Sequence, residues 1–289
     1  MGRTTGTGGP AAIQTEEWTL NQRRPDTPPP PPVVQRVRIR YAKRSRLRFT
    51  SHRDFARAFE RALRRAGVPV AHSAGFTPHP RVSYLGAAPT GVASEAEYLE
   101  LGLAERVDCD LLRAALDRSL PDGLDVTECV EAGPGSLADR IDASLWWIEL
   151  AAGCVSDLRR AVERFRASQV VEVERLTKNG RRKIDARAAV VSIRVRDGSE
   201  DQAWSAPPVA VDSACAILEV VVRQVTPAVR PDDVLVALRV VAGFVPPVPP
   251  CATRVAQGRL DDSGRLADPL APDRVALRPV PIVGTSPVG

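Results

Sequence analysis

Arg36-Val37-Arg38-Ile39-Arg40-Tyr41, followed ten residues later by Ser51-His52-Arg53-Asp54, decides how this chain is read. Val37, Ile39 and Tyr41 alternate with three arginines, and period two predicts a strand with one apolar and one basic face. Ser51 stands where a helix cap belongs, and Asp54 follows at capping-box spacing. The helix is expected to run to about Ala66, where Gly67 and Pro69 stop it. Phe55, Phe59, Ala62, Leu63 and Ala66 form its apolar stripe. Arg53, Arg57, Arg61 and Arg64 recur at helical spacing on another face.

Working outward, residues 68–73 read as a short extended segment and 75–80 as a turn-rich loop. Residues 81–86 and 98–103 read as extended, 109–120 as a helix and 124–130 as a strand. Two helices among four strands in this order are the split βαβ, ferredoxin-like arrangement. The second half repeats the theme: strand 144–150, helix 155–168, strands 170–176 and 188–196, strand 216–224 and helix 232–240. The fold class expected is therefore α+β, with ferredoxin-like halves at 35–132 and 144–246. Residues 1–34, with the run Pro28 to Pro32, read as a disordered linker. Proline is frequent again after Pro246, so 247–289 read as an irregular or disordered tail.

A length of 289 residues accommodates two cores, and an aromatic content of 4% makes them aliphatic. No 18-residue apolar run exists, which excludes a membrane-spanning helix. The first residues lack the apolar segment of a signal peptide, so a cytoplasmic address is expected. The five cysteines lie at least twenty residues apart, which argues against a disulfide framework and against zinc or iron–sulfur spacing. Neither a P-loop, Gly-x-Ser-x-Gly nor His-Glu-x-x-His occurs, and no cofactor or metal is assigned. Trp146-Trp147 in a strand places one ring on each face, one for the core and one for an interface. The basic stretch 178–183 contains Asn179-Gly180 and reads as a hairpin tip.

Charge is segregated along the chain. Residues 36–65 hold twelve Lys or Arg against two acids, and residues 82–132 hold eleven acids against three arginines. The arginine stripe points to a nucleic-acid backbone, with Lys43 and the other basic residues of 36–48 widening the patch. The competing reading is a face neutralised by the acids of 82–132.

All three histidines, His52, His72 and His79, fall within 28 residues. His52 and Ser51 at a helix N-terminus suit an anion. His79 lies between Pro78 and Pro80 on a stiff loop, and Phe76 before it can stack on a base or plug the core. His52 and His79 are candidates for a general acid–base pair cleaving RNA. A metal site with Asp54, a binding-only role and a purely structural role compete with that reading.

Ser51-His52-Arg53-Asp54, Arg57, Arg61, Arg64-Arg65-Ala66-Gly67, Pro69, Ser73, Gly75-Phe76, Pro78-His79-Pro80, Ser83, Gly91, Ser94 and Glu97-Tyr98 together resemble the radical SAM-linked domain family. Asp185-Ala186-Arg187 and Thr253-Arg254 resemble further family positions. The resemblance implies a domain found alone or fused behind a radical SAM enzyme, often encoded near ribonuclease and ribosomal-protein genes. It implies a working partnership with such an enzyme and no established activity. This chain has no radical SAM cysteine motif and so resembles the stand-alone form. The function expected is an RNA-binding accessory partner that presents ribosomal or transfer RNA. A metal-independent ribonuclease using His52 and His79, or a protein-interaction scaffold, are the alternatives.

Overall fold

The computed structural model describes residues 31–74, 77–151, 154–177, 180–196 and 215–276. The chain forms β1 (Gln35–Lys43), α1 (His52–Arg65), β2 (Val82–Leu85), β3 (Ala93–Leu103), α2 (Cys109–Ser119) and β4 (Leu124–Glu131). It continues as β5 (Ala143–Ala151), α3 (Val155–Ala167), β6 (Glu172–Thr177), β7 (Gly180–Asp185), α4 (Ala186–Ala189) and β8 (Val190–Arg196). β9 (Cys215–Arg223), α5 (Pro231–Ala242), β10 (Cys251–Leu260), β11 (Leu266–Ala267) and α6 (Ala271–Ala276) complete the described residues. The result is a mixed α+β fold.

Nine strands make one sheet in the order β4-β1-β3-β10-β5-β9-β8, with β2 on β3 and β11 on β10. β6 and β7 form a separate hairpin. Every pairing in the large sheet is antiparallel except β3 with β10, which meet in parallel through Thr253–Ala93 and Arg254–Ser94. Those two positions join the halves of the sheet.

Period two in β1 does what alternation requires. Val37, Ile39 and Tyr41 pack against Phe55, Phe59 and Leu63 of α1 and Leu112 and Leu116 of α2. The second core lies between β5, β9 and the helices α3 and α5, around Ile148, Leu158, Phe165, Leu218 and Leu238. The β6–β7 hairpin adds Val173 and Ile184 to it. Trp146 and Trp147 face opposite sides, as alternation demands, but both are buried. Neither ring is left for an interface.

The region after 246, expected to be irregular, differs most from expectation. Pro246, Pro247, Pro249 and Pro250 form only the link into β10, and β10 lies in the middle of the sheet. Residues 277–289 lie outside the described residues, as do 1–30, on which most of the linker reading falls. β11 and α6 then cross the sheet face opposite α1 and α2, where Leu270 packs with Ala96, Tyr98, Val130, Leu137 and Ile141. Thr253, Arg254 and Gln257 are buried polar residues of this strand and blur its apolar alternation.

Gly258 allows β11 to lie against β10, since a Cβ there would meet the Ala267 carbonyl oxygen at 2.0 Å. Gly258→Ala is expected to push β11 away and cost about 1–3 kcal/mol. The measurement is a lower denaturation midpoint at unchanged slope. Parental stability would mean that β11 is not held where the structure has it.

Candidate nucleic-acid interface

The candidate surface is built by α1 and the turn before it. Ser51 caps the helix by accepting from the Asp54 amide at 3.2 Å, and its hydroxyl donates to the Asp54 carboxylate at 2.7 Å. Phe55, Phe59, Ala62 and Leu63 are buried, and Phe55 stacks on Tyr41 at 4.2 Å between centroids. Burying that stripe turns the other side of the helix to solvent. Arg53, Arg57, Arg61 and Arg64 are all exposed there. None of the four forms a salt bridge among the described residues. The first three stand four residues apart, about 6 Å along the axis.

The basic residues of β1 are treated differently. Arg38 is 1% exposed and binds both oxygens of Asp273 at 2.8 and 3.0 Å, with Glu100 at 3.1 Å. Arg40 meets Glu128 at 2.7 Å and Asp268 at 3.6 Å, and Arg36 meets Glu100 at 3.6 Å. Arg44 is bound by Glu95 and Asp125. The acids of 82–132 and of the C-terminal segment therefore neutralise the strand, while the helix keeps its charge.

Lys43 does not widen the exposed patch. It is 5% exposed, and its ammonium donates to the carbonyls of Ala88 and Pro89 at 3.3 and 3.2 Å. Burial lowers its pKa, the nearby Glu97 carboxylate opposes that shift, and Arg254 adds to it. The buried Arg254 guanidinium in turn binds Glu97 at 2.5 Å and the Gly86 carbonyl at 2.7 Å, and lies 5.2 Å from the Trp146 ring centroid. The Glu97 carboxylate also accepts from the Ala88 amide at 2.9 Å. Lys43, Glu97 and Arg254 thus hold the 86–92 loop from beneath.

His52 is exposed at the start of α1, its ring edge-on to Tyr84 at 5.1 Å. His79 is also exposed; its amide donates to the Ser73 hydroxyl at 3.0 Å, and its carbonyl accepts from the Ser73 amide at 2.9 Å. No hydrogen bond or ring contact connects His52 with His79. Phe76 lies outside the described residues, as do Lys178 and Asn179 of the basic hairpin tip. Of that hairpin, Arg181 and Lys183 pair across the strands with Glu174 and Glu172. Among the described residues, no group of three His, Cys, Asp or Glu gathers to hold a metal ion.

Sequence reasoning passed over Phe49. This ring ends the 3-10 turn Ser45–Phe49, is 59% exposed, and has the Arg48 guanidinium 4.8 Å from its centroid. The available signal was a lone aromatic in a basic stretch, out of register with both the strand and the helix.

No helix is long and apolar enough to cross a membrane among the described residues. No curated protein matches the chain. A family model described as an uncharacterized protein conserved in bacteria (DUF2344) matches residues 36–231, which is more than half of the 289 residues. The match takes in β1, α1 and the exposed arginine face. The chain belongs to that family.

Proposed function

We propose that the arginine face of α1 binds RNA through its phosphates, and that the protein is an RNA-binding accessory partner of a radical SAM enzyme. One observation carries the RNA part. The arginines of β1 are matched to carboxylates, whereas Arg53, Arg57, Arg61 and Arg64 remain exposed without a salt bridge among the described residues. Like charges at i,i+4 cost an isolated helix a few tenths of a kcal/mol per pair. A polyanion along the face removes that repulsion and releases counterions. The partner part is supported by the resemblance over residues 43–98 in a chain without a radical SAM cysteine motif. We read each half as ferredoxin-like, which the strand orders β4-β1-β3-β2 and β10-β5-β9-β8 support.

The test is binding of RNA oligonucleotides across salt. Four phosphate contacts to a single strand give a log–log slope near −3, or about 50-fold weaker binding between 50 and 200 mM salt. Arg57→Gln with Arg61→Gln should make the slope shallower by about 1.4 and weaken binding to all sequences. The same variant should unfold at the parental denaturant concentration or slightly above it. Salt-independent binding, or no effect of the substitutions, would sink the reading. Site-specific cleavage in EDTA, lost in His52→Ala or His79→Ala, would move the function to a ribonuclease. Co-purification from the native host, with and without ribonuclease treatment, tests the enzyme partnership; recovery of no radical SAM protein rejects it.

A further inference from the structure

We infer that Phe49 is a base-stacking residue and that the RNA taken by this surface is single-stranded; the inference rests on the reading of α1 as an RNA-binding face. Phe49 is the one exposed Phe, Tyr or Trp ring among the described residues. An isolated exposed valine or leucine is ordinary, but an exposed ring held rigidly needs a reason.

The ring is held. The turn that carries it begins at Ser45, whose φ of 49° lies in the left-handed region, and is tied at both ends. The Arg44 amide donates to the Gly123 carbonyl at 2.8 Å, and the Gly91 amide donates to the Arg48 carbonyl at 2.8 Å. Leu47, in the middle of the turn, packs against the first core. A Cβ on Gly91 would lie 3.8 Å from the Phe49 ring, so the glycine backbone forms a close floor beside it. Arg48 stacks against the ring and is itself anchored to Cys251, whose sulfur lies 2.9 Å from its Nη1. With these neighbours accounted for, 59% of Phe49 still faces solvent.

The ring also lies close in the chain to the arginine face. Arg46 and Arg53 flank it in sequence, and both are exposed. Phe49 to Arg53 is four residues of chain, at most about 14 Å. A nucleic-acid backbone that lies on Arg53, Arg57 and Arg61 and runs on past the helix N-terminal end comes within that reach of the ring. Duplex RNA keeps its bases stacked on one another and offers no free face to the ring. An unpaired base offers one, and an aromatic platform beside a basic groove is how single strands are held without sequence readout.

The experiment compares a 12-nucleotide unstructured RNA with a 12-base-pair RNA duplex on the full chain. Phe49→Ala is expected to weaken single-strand binding about 5- to 150-fold and to leave duplex binding and the salt slope unchanged. Phe49→Trp is expected to retain single-strand affinity, and its added fluorescence should be quenched by the single strand and not by the duplex. Unchanged single-strand affinity in Phe49→Ala, with weakening in Arg57→Gln/Arg61→Gln, overturns the stacking role and leaves the RNA reading standing. Equal losses on both probes also overturn it. Parental protein that binds neither probe removes the RNA reading and this inference together. A ribonuclease-resistant protein partner lost only in Phe49→Ala, with RNA affinity unchanged, assigns the ring to a protein interface instead.

Discussion

Asp273→Ala is expected to destabilise the protein by about 3–5 kcal/mol, the range for removing one member of a buried ion pair. The Asp273 carboxylate is fully buried and accepts from Arg38, from Arg140 at 2.8 Å and from the Gly133 amide at 2.9 Å. Its loss leaves the guanidinium of Arg38 buried, with only Glu100 and the Gly135 carbonyl as partners. It also unties α6 from β1 across 235 residues of sequence. Asp273→Asn keeps some hydrogen bonds and should cost less. The linkage to pH follows from the direction of the shift. Burial pushes the Asp273 carboxyl up, but the hydrogen bonds from Arg140, Arg38 and Gly133 more than offset it and hold the carboxyl below its usual range. A depressed carboxylate contributes stability that is complete above the unfolded value of about 3.9 and is lost as pH falls through the folded value. The gap between parent and Asp273→Ala should therefore be widest near neutrality and close on acidification below about pH 4. Denaturant titrations at pH 7 and pH 3 measure it. A loss under about 1 kcal/mol at pH 7 would mean that the C-terminal segment does not dock as described.

Glu97→Ala should have a loss of the same order, about 3–5 kcal/mol, for a different reason. Glu97 lies between two buried cations, Arg254 and Lys43, and its removal leaves Arg254 without its carboxylate and the Ala88 amide without an acceptor. Arg254 stands at one of the two positions joining β3 to β10, so the lesion falls on the seam between the halves. A second signature separates this from simple cavity formation. Burial already lowers the Lys43 pKa, and Glu97 opposes the shift. Without Glu97 that pKa falls further. The folded state then binds fewer protons than the unfolded one over a wider range, so the variant should regain stability as pH rises toward about 10. Glu97→Gln, which keeps an acceptor but not the charge, should show the same pH trend with a smaller loss at pH 7. A variant equally destabilised at pH 7 and pH 10 would exclude Lys43 as the cause.

The basic residues of 36–65 show what each level of structure decides. Their types and spacing already dictated a strand with arginines on one face and a helix with an arginine stripe. Alternation and helical periodicity are local, and residues 35–43 and 52–65 adopt those elements through the cap at Ser51 and the stripe of Phe55, Phe59 and Leu63. Which arginines remain available was not a local property. Arg38 is neutralised by Asp273, more than two hundred residues away in the chain, Arg40 by Glu128 and Asp268, and Lys43 is held under a loop by the Ala88 and Pro89 carbonyls and the Glu97 carboxylate. Local patterning was enough for β1, α1, the segregation of charge and the stripe on α1, but not for β10, β11 and α6. That β10 occupies the middle of the sheet, that the β1 arginines form internal ion pairs and that Phe49 stays open to solvent follow from long-range packing. Propensity and periodicity act over a few residues, whereas burial and ion pairing depend on segments brought together by the shared sheet.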